Sequence, residues 1–334
     1  MDQFNQLVHD LKAGKFAPIY FLMGEEPFFI DEVVHFIEEN ALEESERSFN
    51  QTILYGKETD IDTVVSEAKR FPMMAERQVV ILKEAQHLRK WDALEHYVEQ
   101  PQPTTILVIA HKYKSFDKRK ALFKKLTKSE AMVMESKKMY DDKVPGWVEQ
   151  RVHQLGFTIS FKAAALLVEF LGNDLGKIAK ELEKLSILLK PGAEITPQFI
   201  EENIGISKDY NNFELQNALG AGDIEKSNRI IDYFAADPGH HPVVVTLGVL
   251  YNFFSKLLIY HSLKDRSRGA VASALKVNPY FVTQYQQAAQ RYSLRKSARV
   301  IGYLREADVR SKGVGNVSTA PHDLLRELVF KVLH

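Results

Sequence analysis

Up to about residue 140 the chain alternates short apolar runs with amphipathic ones. The runs at 18–23, 51–55, 79–82, 104–110 and 131–135 are brief, rich in β-branched or aromatic residues and bounded by polar ones, so each predicts a strand. Between them, residues 28–40 set Ile30, Val33, Val34 and Ile37 three and four apart, the spacing of a helix with one buried face. Strands alternating with helices predict a parallel sheet covered on both sides, with its ligand crevice at the carboxyl ends of the strands.

After Met139 only helical patterns are expected. Residues 171–189 put Leu175, Ile178, Leu182, Leu185 and Leu189 on one face, with Asn173 or Asp174 as N-cap and Pro191-Gly192 as the stop. Thr196-Pro197 predicts the cap and first turn of the next helix, completing a small three-helix domain. Polar residues 206–212 read as a linker. From Phe213 onward six or seven helices are expected, broken at 220–222, Pro238-Gly239, 266–269, Pro279 and 313–321, with the very apolar 243–263 at their centre. The expected division is an α/β domain at 1–139, a small helical domain at 140–207 and an all-α domain at 208–334.

A length of 334 residues exceeds one ordinary core, which agrees with two or three domains. The absence of cysteine excludes disulfides, thiolate nucleophiles and cysteine metal sites. The first sixteen residues carry charges throughout and do not read as a secretory signal, and no apolar run is expected to reach bilayer length, so a cytoplasmic protein is expected. Basic and acidic residues balance at 44 each, but residues 255–334 hold fourteen Lys/Arg against five Asp/Glu. That excess of nine positive charges suits an anionic partner such as nucleic acid, or simply solvated helix faces.

The loop after the first strand is where a nucleotide site would lie. It reads Gly24-Glu25-Glu26-Pro27-Phe28-Phe29-Ile30-Asp31, with no second glycine, no lysine and no hydroxyl for magnesium. Two carboxylates would repel a phosphate, and Pro27 offers no N–H. Ile81-Leu82-Lys83-Glu84 also lacks an aspartate where a metal would be held. A degenerate nucleotide site, with no cofactor, is expected. No serine–histidine–acid or paired-carboxylate arrangement argues for catalysis.

The most unusual stretch precedes the third strand: Phe71, Pro72, Met73 and Met74, followed by the polar Glu76, Arg77 and Gln78. Pro72 fits a first helical turn, so a short helical tip carrying both methionines is expected. Methionine is soft and is over-used on surfaces that grip partners. The plainer alternative packs these side chains beneath the sheet.

Three further features carry less. Residues 111–128 hold eight Lys/Arg and one acid, Asp117; Tyr113 and Phe116 suit base stacking, while a solvated helix with Leu122, Phe123 and Leu126 turned inward is the favoured reading. His240-His241 is read as a turn pair, not a metal site. Gly313-Val314-Gly315 is read as a hinge.

Four stretches, PIYFLMGEEPFFIDE, RFPMMAERQVVIL, LGNDLGKIAKELEKL and LREADVRSKG, occur in an order that resembles the delta subunit of the bacterial DNA polymerase III clamp loader. The resemblance implies an AAA+ fold: a defective ATPase-like domain, a helical lid and a helical collar. It implies assembly with gamma/tau motor subunits and delta-prime in a ring of five, and a non-catalytic place in a complex with DNA polymerase (nucleotidyltransferase) activity. It also implies that the tip enters a hydrophobic pocket on the sliding clamp, with Phe71, Pro72, Met73, Met74 and Arg77 as contacts. In that family the tip pair is typically leucine and phenylalanine, which falls here on Met73 and Met74. Primer–template DNA would be met through the assembly, and no membrane is implied. The alternative is a DNA-binding protein that uses the basic C-terminal domain without a clamp.

Overall fold

The computed structural model describes residues 2–140, 142–204, 207, 209–316 and 318–334. Contacts divide the chain into two compact units, Met1–Met139 and Tyr140–His334.

The first unit opens with α1 (Asp2–Lys12) and β1 (Ile19–Gly24), followed by α2 (Pro27–Asn40), α3 (Glu44–Asn50) and β2 (Gln51–Tyr55). Next come α4 (Ile61–Ala68), β3 (Gln78–Lys83), α5 (Asp92–Tyr97), β4 (Thr105–Lys112), α6 (Ala121–Leu126) and β5 (Met132–Ser136). All five strands are parallel, in the order β2-β3-β4-β1-β5, with Ile19 beside Leu107 and Tyr20 beside Met132. Every residue of β1 is buried, which requires cover on both faces. On α2, Phe29, Ile30, Val33, Val34 and Ile37 form the buried stripe. A second layer packs Ile61, Val64, Val65 and Ala68 of α4 with Leu94 and Tyr97 of α5 in the cluster around Phe21, Leu82 and Leu107.

Because β1 leads away to the sheet edge at β2 while β4 leads to β5, the strand order reverses between β1 and β4. A ligand crevice in such sheets lies at that switch point, outside the carboxyl ends.

The second unit departs from the purely helical expectation near its start. Four helices, α7 (Val144–Gln154), α8 (Phe161–Leu171), α9 (Leu175–Leu188) and α10 (Pro197–Ile204), replace the three expected. Two short strands, β6 (Thr158–Ile159) and β7 (Glu194–Ile195), pair in parallel. Two residues are too few to show a periodic pattern, so no sequence signal marked them. The Asp174 carboxylate caps α9 at the Lys177 N–H, and the Thr196 hydroxyl caps α10 at Phe199. The linker reading of 206–212 falls partly on Gly205–Lys208, of which Gly205, Ile206 and Lys208 lie outside the described residues.

Seven helices follow among the described residues: α11 (Asn212–Ala221), α12 (Ile224–Ala236), α13 (Val243–Ser262), α14 (Arg268–Leu275), α15 (Val282–Arg291), α16 (Leu294–Ser311) and α17 (Pro321–Leu333). The break between α15 and α16 carries no glycine or proline; Ser293 makes it by capping α16 at Lys296. One expectation is corrected here: α13 is long and apolar enough to cross a bilayer by length and composition. Its Leu247, Leu250, Phe253, Phe254 and Leu257 are instead buried among the neighbouring helices, as in a central core helix.

Candidate functional site

Two places in the first unit invite function: the crevice at the carboxyl ends of the strands and the loop before β3 at their amino ends.

The crevice is filled by the chain itself. Glu26 is buried, its main-chain N–H donates to the Ser136 carbonyl at 3.2 Å, and its carboxylate accepts the Phe28 N–H at 3.1 Å. A carboxylate thus occupies the N-terminus of α2, where a phosphate would sit, and Pro27 removes a donor from that turn. Gly24 bridges to Lys114, drawing the loops after β1 and β4 together. The two lysines that end β3 and β4 are neutralised by α2: Lys83 Nζ lies 2.8 Å from Glu38, and Lys112 Nζ lies 2.9 Å from Asp31. Gly24, Glu25, Glu26 and Pro27 therefore form a turn tied to the end of β5 and to the N-terminus of α2.

The loop before β3 does the opposite and faces solvent. Phe71 is 77% exposed, Met73 56% exposed and Met74 fully exposed, so packing beneath the sheet is excluded. The expected helical tip is also corrected. Residues 71–77 are irregular, and Met74 is left-handed at φ 53°. Pro72 lies in this loop and not in a helical first turn. Too few residues separate the end of α4 from β3 to nucleate another helix without apolar support.

Two buried amides hold the loop, and neither was marked by the sequence. Asn50, the last residue of α3, accepts the Met73 N–H on Oδ1 at 2.6 Å. Its Nδ2 donates back to the Met73 carbonyl at 3.0 Å and to the Glu46 carbonyl at 3.2 Å. Gln78 Nε2, at the other root, faces the carbonyls of Glu67 and Arg70 and lies 2.8 Å from the Thr105 hydroxyl. Arg77 stacks over the Phe16 ring at 5.4 Å and flanks a cleft of about 730 Å³ that Pro101 and Pro103 also line. Nothing in a lone Asn or Gln signals such a role; only the approach of positions 50 and 73 reveals it.

The other sequence candidates separate. Phe116 is buried against Phe21, Trp91 and His111, which corrects the base-stacking reading for that ring. Tyr113 is exposed and left-handed, at φ 68°. Leu122 and Leu126 are buried, and Lys112, Lys118, Arg119 and Lys125 each pair with an acid. His240 Nδ1 lies 2.8 Å from Asp237, while His241 stacks on Phe234. Among the described residues no group of three or more metal-ligating side chains converges.

The exposed apolar tip and the loop that Glu26 caps lie in the same α/β unit. Residues 20–137 match the family described as DNA polymerase III, delta subunit, and residues 144–202 match one described as a middle domain. The DNA polymerase III subunit delta of Bacillus subtilis (strain 168) is 27% identical over 314 residues, covering 90% of each chain. The chain resembles DNA polymerase III delta subunits over nine-tenths of its length. A solved structure, the DNA clamp loader delta protein of Bacillus subtilis, superposes with a TM-score of 0.58 at 24% identity over 99% of both chains, so the likeness of fold extends to the C-terminal helices. The delta-subunit match at 20–137 contains both the closed crevice and the tip.

Proposed function

We propose that this chain is the delta subunit of a bacterial clamp loader, which grips the sliding clamp with Phe71, Pro72, Met73, Met74 and Arg77 and holds the ring open for loading onto primed DNA. The observation that carries the reading is the tip itself: three large apolar side chains exposed on one short, tethered loop. Such exposure costs hydrophobic free energy in the free chain and is recovered only against a partner. Burying Met73 and Met74 contributes roughly 3–6 kcal/mol, at about 1.5–3 per side chain. Nanomolar binding needs about 12 kcal/mol, so Phe71, Arg77 and the adjoining surface supply the remainder.

On this reading residues 1–139 are a degenerate AAA+ domain, 140–207 the lid and 208–334 the collar. The collar joins gamma/tau motor subunits and delta-prime in a ring of five, in the cytoplasm. The chain hydrolyses no nucleotide itself and is a non-catalytic part of a polymerase complex. ATP binding in the motors exposes the tip to the clamp, and hydrolysis releases it. The turn at Gly24–Pro27 supports a passive role, since Glu26 holds the helix terminus that a phosphate would need. The rival is DNA binding by residues 255–334 alone; Arg310, Lys312, Arg326 and Lys331 pair with acids, but the stretch keeps its excess of positive charge, so strong, salt-sensitive DNA binding by the free chain would favour the rival.

Calorimetric titration of the cognate sliding clamp into the chain and into Met73→Ala/Met74→Ala tests the proposal. Micromolar or tighter binding, weakened about tenfold or more by the double change, is expected. Equal binding by both forms removes the grip from this loop, and no binding by either removes the clamp as a direct partner.

A further inference from the structure

We infer that Asn50 is a positioning residue of the clamp grip: its side-chain amide sets the conformation in which Met73 and Met74 meet the partner. The inference rests on the tip reading above and extends it to a residue that touches no partner. Asn50 is 4% exposed and lies 23 positions before Met73 in sequence. Its amide brackets Met73 as a neighbouring strand would, accepting the N–H and donating to the carbonyl. Among the described residues, no other hydrogen bond reaches the main chain from Phe71 to Glu76. The tip therefore borrows its shape from one side chain on another element. Directly after this clamp the chain turns left-handed at Met74, a conformation that non-glycine residues rarely hold without support.

The physical reason for such a device is entropic. A loop that samples many conformations must be ordered when it binds, and that ordering subtracts from affinity. A loop already fixed at its centre presents both methionines at once. Alanine cannot replace the amide, because neither the Met73 donor nor its acceptor would find a new partner within the loop. Aspartate keeps the acceptor for the Met73 N–H but loses both donors, so it tests the same contact while filling the same space.

The experiment measures clamp binding by the full-length chain, with purified cognate sliding clamp, for wild type, Asn50→Ala, Asn50→Asp, Met73→Ala/Met74→Ala and the triple change Asn50→Ala/Met73→Ala/Met74→Ala. Hydrogen exchange at the Met73 amide and thermal midpoints are read on the same proteins. Asn50→Ala is expected to weaken binding about tenfold, with faster exchange at Met73 while the strands of the sheet stay protected. Asn50→Asp is expected to weaken binding at least as much, because its carboxylate oxygen faces the Met73 and Glu46 carbonyls to which the amide donated. The triple change is expected to bind no more than about twofold worse than the double, because Asn50 acts only through the tip. Wild-type affinity in both Asn50 variants overturns the inference. So does a loss from Asn50→Ala that persists at full size in the Met73→Ala/Met74→Ala background, since Asn50 would then support structure at large. Wild-type binding by Met73→Ala/Met74→Ala overturns the tip reading itself, and that result is read separately from the Asn50 variants.

Discussion

Gly24 and Ser136 approach so closely that a Cβ on Gly24 would lie 1.9 Å from the Ser136 carbonyl oxygen. The glycine also holds φ at 139°, which L side chains rarely adopt. Any side chain here must break the contact between the loop after β1 and the end of β5. Gly24→Ala is expected to destabilise the chain by about 3 kcal/mol or more, or to leave it insoluble. A urea unfolding midpoint equal to wild type would refute this.

The same loop makes a prediction about nucleotides. With the Glu26 carboxylate on the N-terminus of α2, a triphosphate meets repulsion there and finds Lys83 and Lys112 already engaged by Glu38 and Asp31. Magnesium–ATP at about 1 mM is expected to leave the thermal midpoint of the isolated chain unchanged, because a ligand stabilises only the state it binds. A reproducible upward shift would show a site elsewhere or an opened turn.

Removing the tip side chains is expected to cost nothing in stability. Met73 and Met74 are more than half exposed, so their truncation empties no core space. Met73→Ala/Met74→Ala is expected to unfold within about 0.5 kcal/mol of wild type, the usual range for surface changes. A larger loss in chemical denaturation would mean that the methionines support the fold.

Burial pushes the Glu169 carboxyl up to about 8, with nearby Glu214 adding to the rise, although the Phe213 N–H donates to it at 2.8 Å. Its ordinary value is 4.5, so the folded chain holds this proton more tightly than the unfolded chain does. The resulting stabilisation is full below about 4.5 and is lost as pH rises to about 8. Glu169→Gln keeps an oxygen acceptor for Phe213 without the charge. It is expected to flatten the decline in urea midpoint across that window and to be the more stable form at the upper end. Parallel profiles for the two proteins would rule this out.

Much of the fold was legible because burial leaves a periodic trace. β2 begins and ends where the apolar run at 51–55 does, and α9 shows its buried Leu175, Ile178, Leu182 and Leu185 at helical spacing. The missing lysine at Gly24–Asp31 was equally plain, because composition alone excludes a phosphate-gripping side chain. Short or aperiodic features were not legible. β6 and β7 are two residues each, and the tip reads as a helical turn until the neighbours of Pro72 are known.

The sequence by itself thus determined an α/β unit followed by helices, a first-strand loop without a lysine and an apolar cluster before the third strand. Tertiary structure alone decided that this cluster faces water, that Asn50 holds its centre at Met73 and that Gln78 ties its ends. It also decided that the Glu26 carboxylate closes the crevice against Phe28. The division follows from range. Hydrophobic spacing is set by neighbours a few residues apart, whereas an amide bonded across 23 positions leaves no mark until the chain has folded.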